Sequence, residues 1–279
     1  MLTSPELYRV RTVREVINTL HKPLLVMAEN GEMYYLKYTR YQPYELKCEW
    51  LCHYLLRLWN IPTPDIAVLT VPTEIFPTFP VAAQSAIRFL NQPAFGSKQV
   101  HGSIDSSDFI QHGSSSELAT LTNPDDLLWI SLFDAWVSND DRRASHHNLI
   151  IAPDLSVGRN RLRCWAIDHA FTFTSRPFEE LEHQETYFSY NINLSQASIA
   201  KAVLNSWREK WPLLWTTELK AGYYLRIKTC QKNFAHVCSL LPAPFQLNES
   251  EQTHLFYFLF CPKRLERLWE EFFASLPLS

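Results

Sequence analysis

Only six of the 279 residues are glycine: Gly31, Gly96, Gly102, Gly113, Gly158 and Gly222. A backbone that wraps a phosphate closely relies on glycine, because a Cβ blocks the approach and only glycine enters positive φ freely. Neither G-x-G-x-x-G nor G-x-x-x-x-G-K-[ST] can be written from these positions, which excludes a Rossmann fingerprint and a Walker loop as motifs. The formal net charge is -3, so no global positive field draws nucleic acid or an anionic membrane, and no direct nucleic-acid binding is expected. With 46% hydrophobic residues the chain buries a sizeable core, as one large domain or two lobes.

The six cysteines form no C-x-x-C pair and several lie in apolar runs, which predicts buried, reduced thiols of a cytosolic protein. The first residues, MLTSPELYRVRTVREV, are charged throughout, which predicts no signal peptide. The most apolar runs, Leu127 to Val137 and His254 to Cys261, are far shorter than the ~20 residues of a membrane span. A soluble, cytoplasmic protein is expected.

The organisation changes along the chain. LLVMAENGEMYYLKY holds two apolar runs around Asn30-Gly31, a strong hairpin signal. From about Tyr44 to Trp59 the apolar residues Leu46, Trp50, Leu51, Tyr54, Leu55 and Leu58 follow a helical period. Asn60-Ile61-Pro62-Thr63-Pro64 ends that helix, and Ile66 to Val71 and Val81 to Leu90 read as two further strands. Residues 91 to 117 are polar and glycine-bearing and read as a connector. Beyond it, Leu127 to Val137 reads as a buried helix. Leu149 to Ile151 and Arg163 to Ile167 read as short strands, and Ile199 to Phe273 as several helices. The expected division is a β-rich unit with one helix over residues 1–90 and a mainly helical unit over 91–279, an α+β chain.

The densest polar cluster, Asn139 to Asn148, follows an apolar helix and precedes an apolar strand. About 20 residues on, Asp168 follows the next strand, where it either caps a turn or serves as a hard oxygen ligand. Phosphoryl transfer needs a carboxylate at the acceptor hydroxyl, an Asn and an Asp for Mg, and a strand lysine held by a helical glutamate. The sequence supplies these in order: Lys37, Glu49, Asp141, Asn148 and Asp168.

This set resembles the HipA-like kinases, specifically the short group without the long N-terminal subdomain. The similarity rests on KPLLVMAENGEMYYLKY, EWLCHYLLRLWNIPTP, FGS at Phe95 to Ser97, and FDAWVSNDDRRASHHNLI with WAIDHAFTF. It implies a two-lobed protein-kinase-like fold with a small β-rich N-lobe and a larger mainly helical C-lobe, and ATP and Mg as cofactors. It implies that Lys37 binds the ATP phosphates, Glu49 pairs with it, Asp141 is the catalytic base, and Asn148 and Asp168 hold Mg. Asn139 and Arg142 would support the loop, and Arg88-Phe89-Leu90 would pass the adenine as a hinge. The loop before the lysine strand, Asn18-Thr19-Leu20-His21-Lys22, has no glycine, so either side chains such as Asn18 and Thr19 cover the nucleotide or ATP binding is weak. Asp140 precedes Asp141 and could exchange roles with it, and His146 stands where an Asn is expected. The implied acceptor is a Ser or Thr of a protein, with an antitoxin-like inhibitor as a further partner suggested by resemblance to toxin kinases. The alternatives are a small-molecule kinase of the aminoglycoside-phosphotransferase kind and a pseudokinase interaction module.

Other residues read more plainly. His146-His147 does not read as a zinc site. Glu45 and the Lys263-Arg264-Arg267 face read as solvated. Arg142-Arg143 reads as pairing with a carboxylate, and Trp129, Trp136 and Trp165 as core.

Overall fold

Asn30-Gly31 turns the chain as the sequence predicts, with Gly31 at φ 82°. The flanking strands, β2 (Leu24–Ala28) and β3 (Met33–Lys37), pair antiparallel with Val26 opposite Tyr34. The computed structural model describes residues 2–19, 21–38, 43–104, 106–143, 147–158, 160–181, 190 and 193–277. His146 lies outside the described residues.

Three further strands close these two into a barrel: β1 (Glu6–Val16), β4 (Ile66–Thr70) and β5 (Ala94–Lys98), in the order β1-β2-β3-β5-β4. The β1–β4 pair is parallel and the others antiparallel, so every strand has two neighbours and no edge is left open. Helix α1 (Pro43–Leu58) follows β3, and almost every residue from Glu45 to Leu56 is buried. It therefore stands between the barrel and the rest of the chain.

Two elements differ from expectation. Val81 to Phe89 is a 3-10 helix rather than a strand. Pro80 leads into it, and its small residues Ala83 and Ala86 are buried at the i, i+3 spacing that a three-residue turn aligns. The expected connector contains β5, which pairs with both β3 and β4, and the helices α2 (Ser106–His112) and α3 (Ser115–Leu118). The boundary expected at residue 90 therefore falls inside the β-rich part, which runs to Lys98.

The remainder is mainly helical: α4 (Asp126–Val137), then the two-stranded sheet β6 (Leu149–Pro153) and β7 (Leu162–Ala166), then α5 (Ser198–Lys210), α6 (Trp215–Leu240), α7 (Glu249–Phe260) and α8 (Pro262–Ser275). All of α4 from Leu127 to Val137 is buried, and Trp59, Phe133 and Trp136 pack ring on ring beneath the loop after it. Trp129 and Trp136 are core, whereas Trp165 is only half-buried. Arg264 is not solvated as expected. It is buried, and its Nη2 donates to the Trp136 carbonyl at 2.8 Å, at the C-terminal end of α4. No helix among the described residues is long and apolar enough to cross a membrane.

Candidate active site

Alternation along β3 turns Tyr35 and Lys37 away from the barrel core that takes Tyr34 and Leu36. Lys37 Nζ donates to Glu49 Oε1 on α1 and, at 2.8 Å, to Asp168 Oδ1 just beyond β7. Glu49 Oε2 also accepts from the backbone N–H of His169 at 3.2 Å. Burial works against the Lys37 ammonium, but Asp168 and Glu49 override it and hold the lysine above its ordinary value. Burial pushes the Glu49 carboxyl above its ordinary range against the pull of Lys37. Burial alone would raise Asp168 too, yet Lys37 holds it well below the usual carboxylate range. The lysine is thus a fixed cation at all ordinary pH.

The second loop hangs from α4, whose C-cap Ser138 is left-handed at φ 52°. Asp134, the one carboxylate between Leu127 and Val137, is fully buried and organises the loop. Its Oδ2 lies 2.8 Å from Arg142 Nε, and its Oδ1 accepts from Asn139 Nδ2 at 3.0 Å. Asn139 Oδ1 then accepts from the Asp141 backbone N–H at 3.3 Å. Arg142 donates onward to the carbonyls of His147, Asn148 and Ile167, and its Nη2 lies 2.7 Å from His169 Nε2. Burial, with Arg142 beside it, pushes the His169 ring well below its ordinary value, so the ring is neutral and accepts that bond. One guanidinium therefore ties the Asp141–Asn148 loop to the Asp168 turn. Asn148 Nδ2 donates to Asp141 Oδ2 at 2.7 Å, which aims the carboxylate.

These groups meet in a cavity of about 340 Å³ between barrel and helices, lined by Lys37, Glu49, Asn148 and Asp168. Ile17, Pro23 and Tyr35 come from the barrel side, and Ile150 and Ile167 from β6 and the end of β7, leaving an apolar slot suited to a flat base. A hollow of about 220 Å³ shares Lys37, Asn148 and Asp168 with it and reaches Asp141. Of the loop residues, Thr19 lines both spaces, while Asn18 is exposed and lines neither. The expected hinge is not there. Arg88 and Phe89 line a separate surface hollow with Tyr38 and Phe245, and Leu90 is buried against the barrel. Their 3-10 turn precedes β5, so it is Lys98, at the end of the last barrel strand, and Ser103, beyond it, that border the cavity.

Sequence reasoning missed several groups. Glu45 is buried rather than solvated and lies 3.6 Å from His21 Nδ1. His53, one turn beyond Glu49, is buried in the cavity wall with Nδ1 unpartnered, and burial together with Arg57 pushes it down to about 3. Asp134 had a signal in the sequence, a lone acid in the apolar run Leu127 to Val137. His53 had only its helical offset from Glu49.

The donor set fits a hard divalent cation. Asp168 is 42% exposed, and Asn148 commits its amide nitrogen to Asp141, leaving Oδ1 as an oxygen donor. Both sit in left-handed backbone, at φ 58° and 43°, conformations that Asn and Asp tolerate better than most residues and that gather at functional sites. Among the described residues no group of three His, Cys, Asp or Glu could hold a metal alone. Mg takes one or two protein oxygens and completes its shell with phosphates and water.

The HipA-like kinase family model matches residues 10–276. The crystal structure of a Helicobacter pylori proinflammatory kinase, CtkA, shares the fold over 97% of this chain and 99% of that one, with 12% identity and a TM-score of 0.54. The Golgi casein kinase with Mn/ADP bound is aligned over 99% of this chain and 74% of that one, with 13% identity and a TM-score of 0.41. No curated protein matches the chain. The chain belongs to the HipA-like kinase family.

Proposed function

We propose that this kinase transfers the γ-phosphoryl group of ATP, with Mg, to a Ser or Thr hydroxyl of a protein. The observation that carries the reading is the meeting of Lys37, Glu49, Asp168, Asn148 and Asp141 in one cleft, from a strand, a helix and two loops. Lys37, held by Glu49, grips the phosphates. Asp168 and Asn148 supply the oxygens that would hold Mg, which neutralises phosphate charge when bound. Asp141, aimed by Asn148, accepts the acceptor's proton as its oxygen bonds to phosphorus and the bridging oxygen leaves with ADP. The cytoplasm, with its reducing poise, suits the buried thiols and is the proposed location.

The test is transfer of label from γ-labelled ATP to the purified chain and to Ser- and Thr-containing peptide pools, followed by phosphoamino-acid analysis. Asp141→Asn is expected to lower transfer by at least about 100-fold while Mg-ADP binding persists. Full activity in that variant would remove Asp141 as the base. The carboxylates Glu45, Asp141 and Asp168 at the reacting end favour a second reading, a cationic small-molecule acceptor. Label appearing in an aminoglycoside and in no peptide would select it. No transfer to any acceptor and no thermal shift with Mg-ATP would select the pseudokinase instead.

A further inference from the structure

The loop between β1 and β2 has no glycine, and three of its backbone N–H groups are committed within it. Ile17 N–H donates to the Pro23 carbonyl at 2.9 Å, Thr19 N–H to Ile17 at 2.9 Å, and Lys22 N–H to Thr19 at 3.2 Å. Pro23 has no N–H to offer. These three amides, of the kind a glycine-rich loop would turn toward phosphate, are turned into the loop itself. The Tyr38 hydroxyl, donating to the Lys22 carbonyl at 3.3 Å, pins it further.

A side chain takes that place in the cleft. His21 lines the hollow that holds Lys37, Asp141, Asn148 and Asp168. Its Nδ1 lies 3.6 Å from Glu45 Oε2 on the first turn of α1, and its ring lies 5.2 Å from the ring of Phe171, three residues beyond Asp168. Two different elements thus fix the imidazole at the reacting end. Among the described residues that end holds the carboxylates Glu45, Glu49, Asp141 and Asp168 beside Lys37, so a donor side chain there offsets some of the repulsion a polyanion would meet.

We propose that His21, oriented by Glu45, is a phosphate-binding side chain that meets the terminal phosphate of ATP in place of the backbone amides of a glycine loop. The inference rests on the ATP-kinase reading. It predicts discrimination between ATP and ADP, because the γ-phosphate is the group at the Asp141 end.

Calorimetric titration of the full chain with Mg-ATP and with Mg-ADP tests it. His21→Ala is expected to weaken Mg-ATP about tenfold, the loss of a charge-assisted hydrogen bond, and Mg-ADP less than about threefold. His21→Lys is expected to restore most of the ATP affinity, and Glu45→Gln to weaken ATP in the same direction by less. If His21→Ala is poorly folded, His21→Gln, which keeps a polar side chain of similar reach, gives the same comparison. ATP and ADP affinities unchanged in these variants, or reduced equally for both nucleotides without rescue by lysine, overturn the proposal while leaving the kinase reading intact. A wild-type chain that binds neither nucleotide overturns both.

Discussion

His53 shows how one buried residue sets a property of the folded state. Its ring is packed edge-on to Tyr54 at 5.3 Å, with burial and then Arg57 pushing its pKa down to about 3. In the unfolded chain the same group titrates near ~6.5. Below that pH the unfolded state binds a proton that the folded state refuses, so His53 makes stability fall on acidification, by up to about 1.4 kcal/mol per pH unit, until the folded value is reached. Replacing it with leucine removes that dependence. Denaturant titrations of wild type and His53→Leu at pH 7.5 and 5.5 are therefore expected to show the variant gaining about 1–1.4 kcal/mol relative to wild type at the lower pH. A constant difference between the two pH values would mean that His53 takes up its proton as readily in the folded protein as in the unfolded chain. Arg142 makes the complementary case. It and Asp134 are both fully buried, so Arg142→Ala leaves an uncompensated carboxylate and is expected to lower stability by about 3–5 kcal/mol in denaturant unfolding. Arg142→Met with Asp134→Leu is expected to recover most of that stability while leaving phosphoryl transfer impaired, because the carbonyls of Asn148 and Ile167 lose their common donor.

Among the elements, β5 explains both what the sequence made legible and what it hid. Ala94-Phe95-Gly96-Ser97-Lys98 is too short and too poor in β-branched residues to announce a strand, yet it is held on both sides. A Cβ on Gly96 would lie 2.6 Å from Leu69 Cδ1 and 3.2 Å from the Ala67 carbonyl oxygen, and Leu69 is itself fully buried. Gly96→Val is therefore expected to destabilise the fold by about 1–3 kcal/mol, measured by the urea midpoint at unchanged m. Strand β1 escaped for another reason. Its register shifts at Val10/Thr12 and Val13/Glu15 break the two-residue alternation, so Val10 and Val13 reach the core three positions apart. The hairpin, α1, α4 and the β6–β7 pair were readable because turn chemistry or periodicity is written locally in each. The same divide runs through the site. Lys37, Glu49, Asp141, Asn148 and Asp168 stand out as polar residues at the edges of apolar runs. Glu45 and His53 carry only a helical offset from Glu49 as a local signal, and the meeting of His21 with Glu45 and Phe171 is a contact between distant segments that no local pattern encodes.

At the scale of the whole molecule, the barrel and the helical part are bridged across the cleft by Lys37 and Asp168, 131 positions apart in sequence. This ion pair satisfies both groups, and on the proposed reading a bound Mg-nucleotide would draw the lysine toward phosphate and the carboxylate toward the cation. Removing the charge of Asp168 separates the two roles. In Asp168→Asn, Lys37 keeps Glu49 as its partner and the amide keeps the shape of the side chain, so the unliganded midpoint is expected to move by only a few degrees. Ligand-linked stabilisation behaves differently. A nucleotide at about 100 times its Kd adds ~2.7 kcal/mol to the folded state, which for a chain of this size raises Tm by several degrees. In wild type, most of the shift with ADP is expected to require Mg and to vanish on chelation with EDTA. In Asp168→Asn, ADP with and without Mg is expected to give the same small shift, since the hard anionic ligand is gone while Lys37 and the apolar slot remain. A variant whose ADP shift still grows with Mg as in wild type would place the cation on other groups, and Asp168 would then be the partner of Lys37 alone.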